Sequence, residues 1–411
     1  MKSPYFFIFF LLFASFLQAQ NLQVTTIVEN INASGGVTIG LDGNIYVSDY
    51  APTFQQPAQP TKVYKVEYST WEVSVFADGF EGASGSCFDE EGNFYQSNPF
   101  GSKISRIGTG GTIEPDWATD SLSLPVGIQQ GLDGNFYVCD CNLRKIFRIQ
   151  PDGSVSVFAQ GDQFVCPNGL TIDPVGNLYS CNFSDGKVLK TTPDGVVSEI
   201  TQIPQLTGGP NPVGAGHLTW KNNFLFVTAI GRGQIFKVDM EGNQELIAGV
   251  ALGFSNNDGP ALQATFSKPN GIAASITGDT LFVNVSDPTW VNNPGGLHPA
   301  HLRMITGVCS LPDVQCDLLN DTKEEKKSAD HLITISPNPA NTIVHISLDL
   351  SLQKHCPFEM ELIDVNGKQL KSLIIEDAEE HALSLEDVSP GLYLLRAENP
   401  RFQLSKKLIV K

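Results

Sequence analysis

Apolar and polar positions along this chain follow a phrase that returns six times. A glycine opens a short apolar run, and seven residues later a turn residue opens a second run rich in aromatic and β-branched side chains. The leading glycines are Gly36, Gly85, Gly127, Gly169, Gly216 and Gly271; seven positions on stand Gly43, Gly92, Gly134, Gly176, Asn223 and Gly278. The runs that follow read NIYVSD, NFYQSN, NFYVCD, NLYSCN, FLFVTA and, one residue later, LFVNVSD. Short runs of this composition, bounded by Gly, Asn and Asp, are predicted β-strands.

Successive leading glycines lie 49, 42, 42, 47 and 55 residues apart. The shortest units show the whole period, as in PVGIQQGLDGNFYVCDCNLRKIFRIQPDGSVSVFAQG from Pro125, with four β-like runs. Asp-Gly-Asn or Pro-Val-Gly-Asn joins the first two runs and Pro-Asp-Gly the last two, supplying the positive φ that tight hairpins need. A four-stranded meander of this period, repeated six times, predicts an all-β fold, a six-bladed β-propeller. A β-solenoid would show shorter repeats and no four-strand rhythm. The sixth unit supplies strands near 271–274, 281–285 and 302–308 but lacks a fourth. The orphan run 24–28, ahead of the first unit, is expected to fill that place, joining the ends of the ring and hiding two sheet edges.

Past residue 318 the pattern changes. Residues 319–331 are a charged linker, and 332–411 carry runs at 333–340, 342–348, 360–365, 370–375, 391–395 and 404–410, some six short strands that predict a small Ig-like β-sandwich. At the other end, Lys2 and the apolar run 6–17 before Gln18-Ala19 mark 1–20 as a signal peptide, which leaves 21–318 for the propeller. No cysteine follows the expected cut, so a lipid anchor is not expected, and no second stretch of ~18 apolar residues predicts a transmembrane segment in the mature protein.

Charge and cysteines narrow the chemistry. With 26 Lys and Arg against 44 Asp and Glu the net charge is −18, which excludes a nucleic-acid partner on electrostatic grounds. Export makes the eight cysteines disulfide candidates. Cys309 and Cys316 flank a short Pro-containing loop. Cys141 follows one repeat's second strand and Cys166 precedes the next repeat's first, so in a propeller their loops open on one face. Cys87, Cys139 and Cys181 read as buried free thiols.

The phrases P-x-G-I, D-G-N-x-Y-V and N-L-R-K-I, with the linker Asn257-Asp258-Gly259 … Pro269-Asn270-Gly271, resemble NHL-type repeats and the six-bladed SMP-30/gluconolactonase family over roughly residues 21–310. In the tail, SPNPA (336–340), ELIDVNGKQL (361–370), SPGLYLL (389–395) and KKLIVK (406–411) resemble the type A C-terminal sorting domain of the type IX secretion system of Bacteroidota. That resemblance implies transport across the outer membrane through contact with the secretion machinery, and a secreted or cell-surface product. In the gluconolactonase family a divalent metal is held by a Glu before the first strand, an Asn in an N-G pair and an Asp in a later D-G pair. Asn168 fills the Asn place; the stretches 32–37 and 213–217 carry no carboxylate for the other two.

Two slots per repeat are expected to face one end of the channel. The residue before the leading glycine gives Gly35, Ser84, Val126, Asn168, Ala215 and Asn270; the end of the second strand gives Asp49, Asn98, Asp140, Asn182, Ala229 and Asp287. Oxygens converging from Asn168, Asn270, Asp140 and Asn182 would suit a hard cation such as Ca2+. The other reading of the same residues is turn chemistry and loop capping. His217, His298 and His301 offer metal or general-base chemistry if they share a face, or a solvated loop if they do not. Two functions follow: a surface module binding a small molecule, glycan or peptide, its rim formed by loop 51–61 and the loop holding Trp290; or a metal-dependent lactonase, hydrolase or lyase with altered ligands.

Overall fold

The computed structural model describes residues 22–206, 213–287, 296–314, 333–348, 358–364, 368–375, 381–398 and 403–411. The expected signal peptide and charged linker, Trp290 and Cys316 lie outside these residues. The chain divides into two compact units, a larger one running through Cys316 and a smaller one starting at Asp317.

The larger unit is a ring of six blades. Blade 3 is representative: Pro125–Gln130, Phe136–Asp140, Lys145–Ile149 and Val155–Gln160 pair antiparallel in sequence order. Every second strand, from Ile45–Ser48 to Thr280–Ser286, is buried along its whole length. The apolar core therefore lies between neighbouring blades. Tyr95 and Trp117 of blade 2 meet Phe136 of blade 3 with centroids 4.1 and 5.2 Å away, an arrangement that aromatic quadrupoles favour. Outer strands such as Ile113–Ala118 are exposed over most of their length.

The leading glycines are explained by this geometry. A Cβ on Gly127 would stand 2.4 Å from the Asn168 carbonyl oxygen and 2.7 Å from the Leu170 nitrogen of the next blade. The same conflict runs around the ring, from Gly36 against Ser84 and Gly85 to Gly271 against Gly35 and Val37. Inner strands thus approach at backbone distance, joined by bonds such as Gly36 N to Ser84 O at 3.0 Å and Gly85 N to Val126 O at 3.0 Å. The turn residues seven positions on serve differently. Gly134 has φ 78° and Asn223 φ 64°, the left-handed conformation that glycine and asparagine tolerate.

Those turns also carry a clasp that the glycine pattern does not reveal. The Asp173 carboxylate accepts from Asn177 N at 2.8 Å, Asn177 Nδ2 at 2.7 Å and Tyr179 OH at 2.9 Å. Asp89 does the same with Asn93 and Tyr95. Burial pushes the Asp173 carboxyl up, but its donors outweigh that and hold it below the usual range.

Blade 6 closes the ring as expected. Ile272–Ala274, Thr280–Ser286 and Ala300–Thr306 are completed by Gln23–Ile31, which pairs antiparallel with Ala300–Thr306. The third strand ends at Thr306, short of the expected 308, because Val308–Ser310 turns into a 3-10 helix. A polar clasp ties the seam. Asp258 accepts from Thr26 N and Thr26 Oγ1, each at 2.9 Å, and from Arg303 Nη2 at 2.8 Å. Arg303 is fully buried, lies 4.5 Å from the Phe266 ring and donates to the carbonyls of Thr265 and Asn257.

The smaller unit is a β-sandwich of seven strands among the described residues. One sheet is Ile333–Ser336, Ile343–Leu348 and His381–Ser384; the other is Gln369–Ile375, Phe358–Ile363, Gly391–Glu398 and Gln403–Val410. Val344, Ile346, Leu362, Leu395 and Leu408 fill the space between them.

Candidate functional site

First strands begin, and second strands end, at one mouth of the ring. The loops there enclose a cavity of about 200 Å³. Its walls are mainly apolar: Tyr50, Phe54, Leu124, Val126, Phe183, Ile230 and Leu297. Polar side chains enter from the loops before the leading glycines, namely Ser34, Ser84, Asn168, Lys268 and Asn270. Among the described residues that line it, none is acidic.

An arc of aromatic rings crosses this mouth. Phe54 comes from the long loop between Ile45–Ser48 and Thr61–Val66 of blade 1. Its ring lies 6.0 Å from that of Phe183, which follows the second strand of blade 4, and 6.5 Å from Tyr50; Tyr50 in turn lies 5.2 Å from Phe100 of blade 2. Blades 1 and 4 are opposite in a six-membered ring, so this loop spans the opening. It is steadied by blade 6: Thr53 bridges Gly296, and Leu297 N donates to Pro52 O at 2.8 Å. The expected rim is therefore formed in part by loop 51–61 and by residues 296–297.

Lys268 joins that support. Its Nζ donates to Gly296 O at 2.6 Å, and burial lowers its pKa to about 8. On the other side, Cys141 and Cys166 form the expected disulfide and line the cavity. Cys309 is also disulfide-bonded, while Cys87, Cys139 and Cys181 are free and buried.

The candidate ligands go different ways. Asn168 and Asn270 reach the cavity wall, but their amide nitrogens bind the ring: Asn168 Nδ2 donates to Gly216 O and Asn270 Nδ2 to Ser34 O, each at 2.7 Å. Asp140 and Asn182 are loop clasps. Asp140 accepts from the backbone nitrogens of Ser123, Leu124 and Leu143 at 2.7 to 3.0 Å, and Asn182 Nδ2 donates to Gln163 O at 2.8 Å. Each ties its own second strand to the loop entering the same blade. His217 is buried, its Nε2 has no hydrogen-bond partner, and burial lowers its pKa to about 4, so the ring is neutral.

His298 is not a solvated loop residue. Its Nε2 lies 2.9 Å from Asp49 Oδ1 and 3.4 Å from Ser34 Oγ. Burial raises the Asp49 pKa, opposed by His298 and Lys62. This trio is not a nucleophilic relay. Both oxygens meet the same imidazole nitrogen, whereas a relay needs them on opposite nitrogens, and Ser34 Oγ donates instead to Ala51 O at 3.1 Å. His301 lies within the third strand of blade 6, opposite Val285. Among the described residues no three His, Cys, Asp or Glu side chains gather as a metal site. Of the places a divalent cation would need, only Asn168 offers an oxygen, since Gly35 and Ala215 have none in their side chains. The residues present therefore do not fit such an ion.

Phe54, Lys268 and the Asp49–His298 pair were not singled out by the repeat pattern. For Lys268 a signal existed. The slot three residues before each leading glycine holds Ala33, Gly82, Leu124, Cys166 and Val213 in the other repeats, so a charged residue there is an anomaly.

Residues 334–411 match the family model described as the secretion system C-terminal sorting domain, and residues 102–231 match the SMP-30/gluconolactonase/LRE-like region. The chain thus joins a gluconolactonase-like propeller to a type IX sorting domain, which marks secreted or cell-surface proteins. A search of curated proteins gave no sequence match. Among solved structures, an auxiliary nutrient binding protein from Bacteroides thetaiotaomicron is similar at 14% identity and a TM-score of 0.56, over 69% of this chain and 76% of that one. A protein of unknown function from the same organism gives 14% and 0.53 over the same shares. A gluconolactonase from Xanthomonas campestris gives 16% and 0.51, over 71% of this chain and 92% of that one. At these identities the likeness is one of fold.

Proposed function

We propose that this protein is an exported binding module that holds a small organic molecule in the cavity at the mouth of the propeller. In this reading residues 1–20 are removed during export, 21–318 form the binding domain, 319–331 link it to the tail, and 332–411 engage the secretion machinery. The observation that carries the binding role is the aromatic arc from Phe54 to Phe183, which spans the ring above an apolar chamber. Concave, mainly apolar sites with a few placed polar groups are the usual form of small-molecule sites. At about 200 Å³ the chamber falls below the ~300–1,000 Å³ typical for drug-sized ligands, so it suits a compact guest rather than a glycan or peptide chain. The nutrient-binding role of the Bacteroides neighbour is consistent with this reading at the level of fold. A metal-dependent lactonase or lyase would need a donor set that these residues do not supply.

The test is a thermal-stability screen of the purified exported protein against compact aromatic and aliphatic molecules. A true ligand at 100 times its Kd should add ~2.7 kcal/mol of stability. Phe54→Ser should erase that gain while leaving the unliganded protein folded, because Phe54 is 47% exposed. A screen without any shift, or a shift indifferent to Phe54, would end the proposal.

A further inference from the structure

We infer that the chamber selects compact neutral molecules carrying an O–H or N–H donor, with an aromatic or aliphatic body against Phe54 and Phe183 and the donor directed to the amide oxygens of Asn168 and Asn270. The inference rests on the binding role above and specifies its ligand class.

Three asparagines line the chamber, and the ring uses them differently. Asn284 is committed at both ends. Its Nδ2 donates to Ala33 O at 2.7 Å and Gly35 O at 2.8 Å, and its Oδ1 accepts from Gly271 N at 2.7 Å. Asn168 and Asn270 are committed at one end only, where Nδ2 donates to Gly216 O and Ser34 O, each at 2.7 Å. Those partners are backbone carbonyls, which only accept. Each amide therefore faces the ring with its NH2 group and turns its oxygen away. Among the described residues neither oxygen has a donor. The two amides flank Gly216, and the absence of a side chain there keeps one oxygen clear: a Cβ on Gly216 would crowd Asn270 Oδ1 at 2.9 Å. The fixed polar atoms offered to a guest are thus acceptors. A guest that covers them without a donor leaves them unpaired, at a cost in free energy that a hydroxyl or N–H group removes.

Charge narrows the class further. The described lining holds no carboxylate to accompany a cation, and an ion without a counter-charge is costly in a mainly apolar chamber. Amide oxygens repel an anion, and Lys268 is engaged in support of the rim through Gly296 O. Burial pushes the Tyr50 phenol up to about 12, so that wall is neutral as well. A neutral donor on a body that fits the aromatic and aliphatic wall meets all of these conditions.

Calorimetric titration of the exported protein with benzyl alcohol and anisole tests this, because the two are isomers of matched size and only the alcohol has a donor. Benzyl alcohol should bind about tenfold more tightly, since the ether leaves the acceptors unpaired. Benzoate and benzylammonium should each bind more weakly than the alcohol. Asn168→Ala and Asn270→Ala should each bring the ratio of alcohol to ether affinity toward one. Equal binding of the isomers overturns the inference, and so does a ratio that survives both substitutions, even where they weaken the two isomers alike. Should a variant fail to fold, the isomers and the two ions still decide the matter on the unaltered protein. Tighter binding of benzoate or benzylammonium than of the alcohol overturns the neutral class. Preference for anisole, or for any screened molecule without a donor, refutes the donor class but leaves the cavity as a binding site. Failure of all four probes and of every compound in the stability screen removes both.

Discussion

Blades 4 and 6 enter the ring through nearly the same tetrapeptide, Cys166-Pro167-Asn168-Gly169 and Lys268-Pro269-Asn270-Gly271. The shared residues do the same work in both. Each asparagine donates to a carbonyl of the following blade at 2.7 Å, and each glycine packs against that blade's backbone. The one differing residue faces the cavity in both cases, as half of a disulfide in blade 4 and as a buried ammonium in blade 6. What repeats builds the ring; what departs from the repeat furnishes the mouth.

The shared part should be the harder to alter. A Cβ on Gly271 would lie 2.6 Å from Gly35 O and 2.7 Å from Val37 N, so Gly271→Val should cost ~4 kcal/mol or more in denaturant unfolding. Gly134, with φ 78° and no atom within 4 Å of its would-be Cβ, should accept asparagine for less than ~1 kcal/mol. If the two substitutions proved equal, the close-packed ring would be wrong. The seam comes next. Arg303→Leu removes the buried partner that holds Asp258 against Thr26, and should cost about 3 kcal/mol, with exchange of the Gln23–Ile31 amides rising first.

Replacing Cys141 and Cys166 by serine opens a closure of sequence separation 25 and should cost about 3 kcal/mol, read as a lower unfolding midpoint than under oxidising conditions. A smaller, pH-dependent effect belongs to His217, which adjoins the Gly216 carbonyl that accepts from Asn168. Its pKa falls from 6.5 to about 4 on folding, so the unfolded chain binds more protons between those values. This contribution is complete above pH ~6.5 and is lost as pH falls toward ~4, amounting to about 2 kcal/mol between pH 7 and 5. His217→Leu should flatten that part of the stability profile; an unchanged slope would show that another group titrates there.

Much of the ring was legible before its structure because its rules are local or nearest-neighbour. Turn glycines, the four-stranded blades, the fourth strand supplied by the N-terminal run and the shared face of Cys141 and Cys166 all follow from the repeat period. The Asp-Asn-Tyr clasp, as at Asp173, Asn177 and Tyr179, was equally periodic but was masked by the glycines beside it. The mouth was less legible. Asp140 and Asn182 looked like convergent oxygens because the period places them at one end of the ring; their side chains bend back to their own blades' loops. Phe54 reaches Phe183 across the opening from a loop that no other repeat contains, and the Asp49–His298 contact spans the seam between blades 1 and 6. Contacts at such sequence distance leave no periodic trace.

The most direct test of the central claim compares ligand binding in variants at the two ends of the ring. Any compound that binds the exported protein should be titrated against Phe54→Ser, Phe183→Ser and, at the turn of blade 3 on the opposite end, Leu132→Ser, where the side chain is 67% exposed. The account predicts that both phenylalanine variants lose binding by tenfold or so while Leu132→Ser leaves it unchanged. Binding that survives both phenylalanine changes, or that fails with Leu132→Ser, would contradict it.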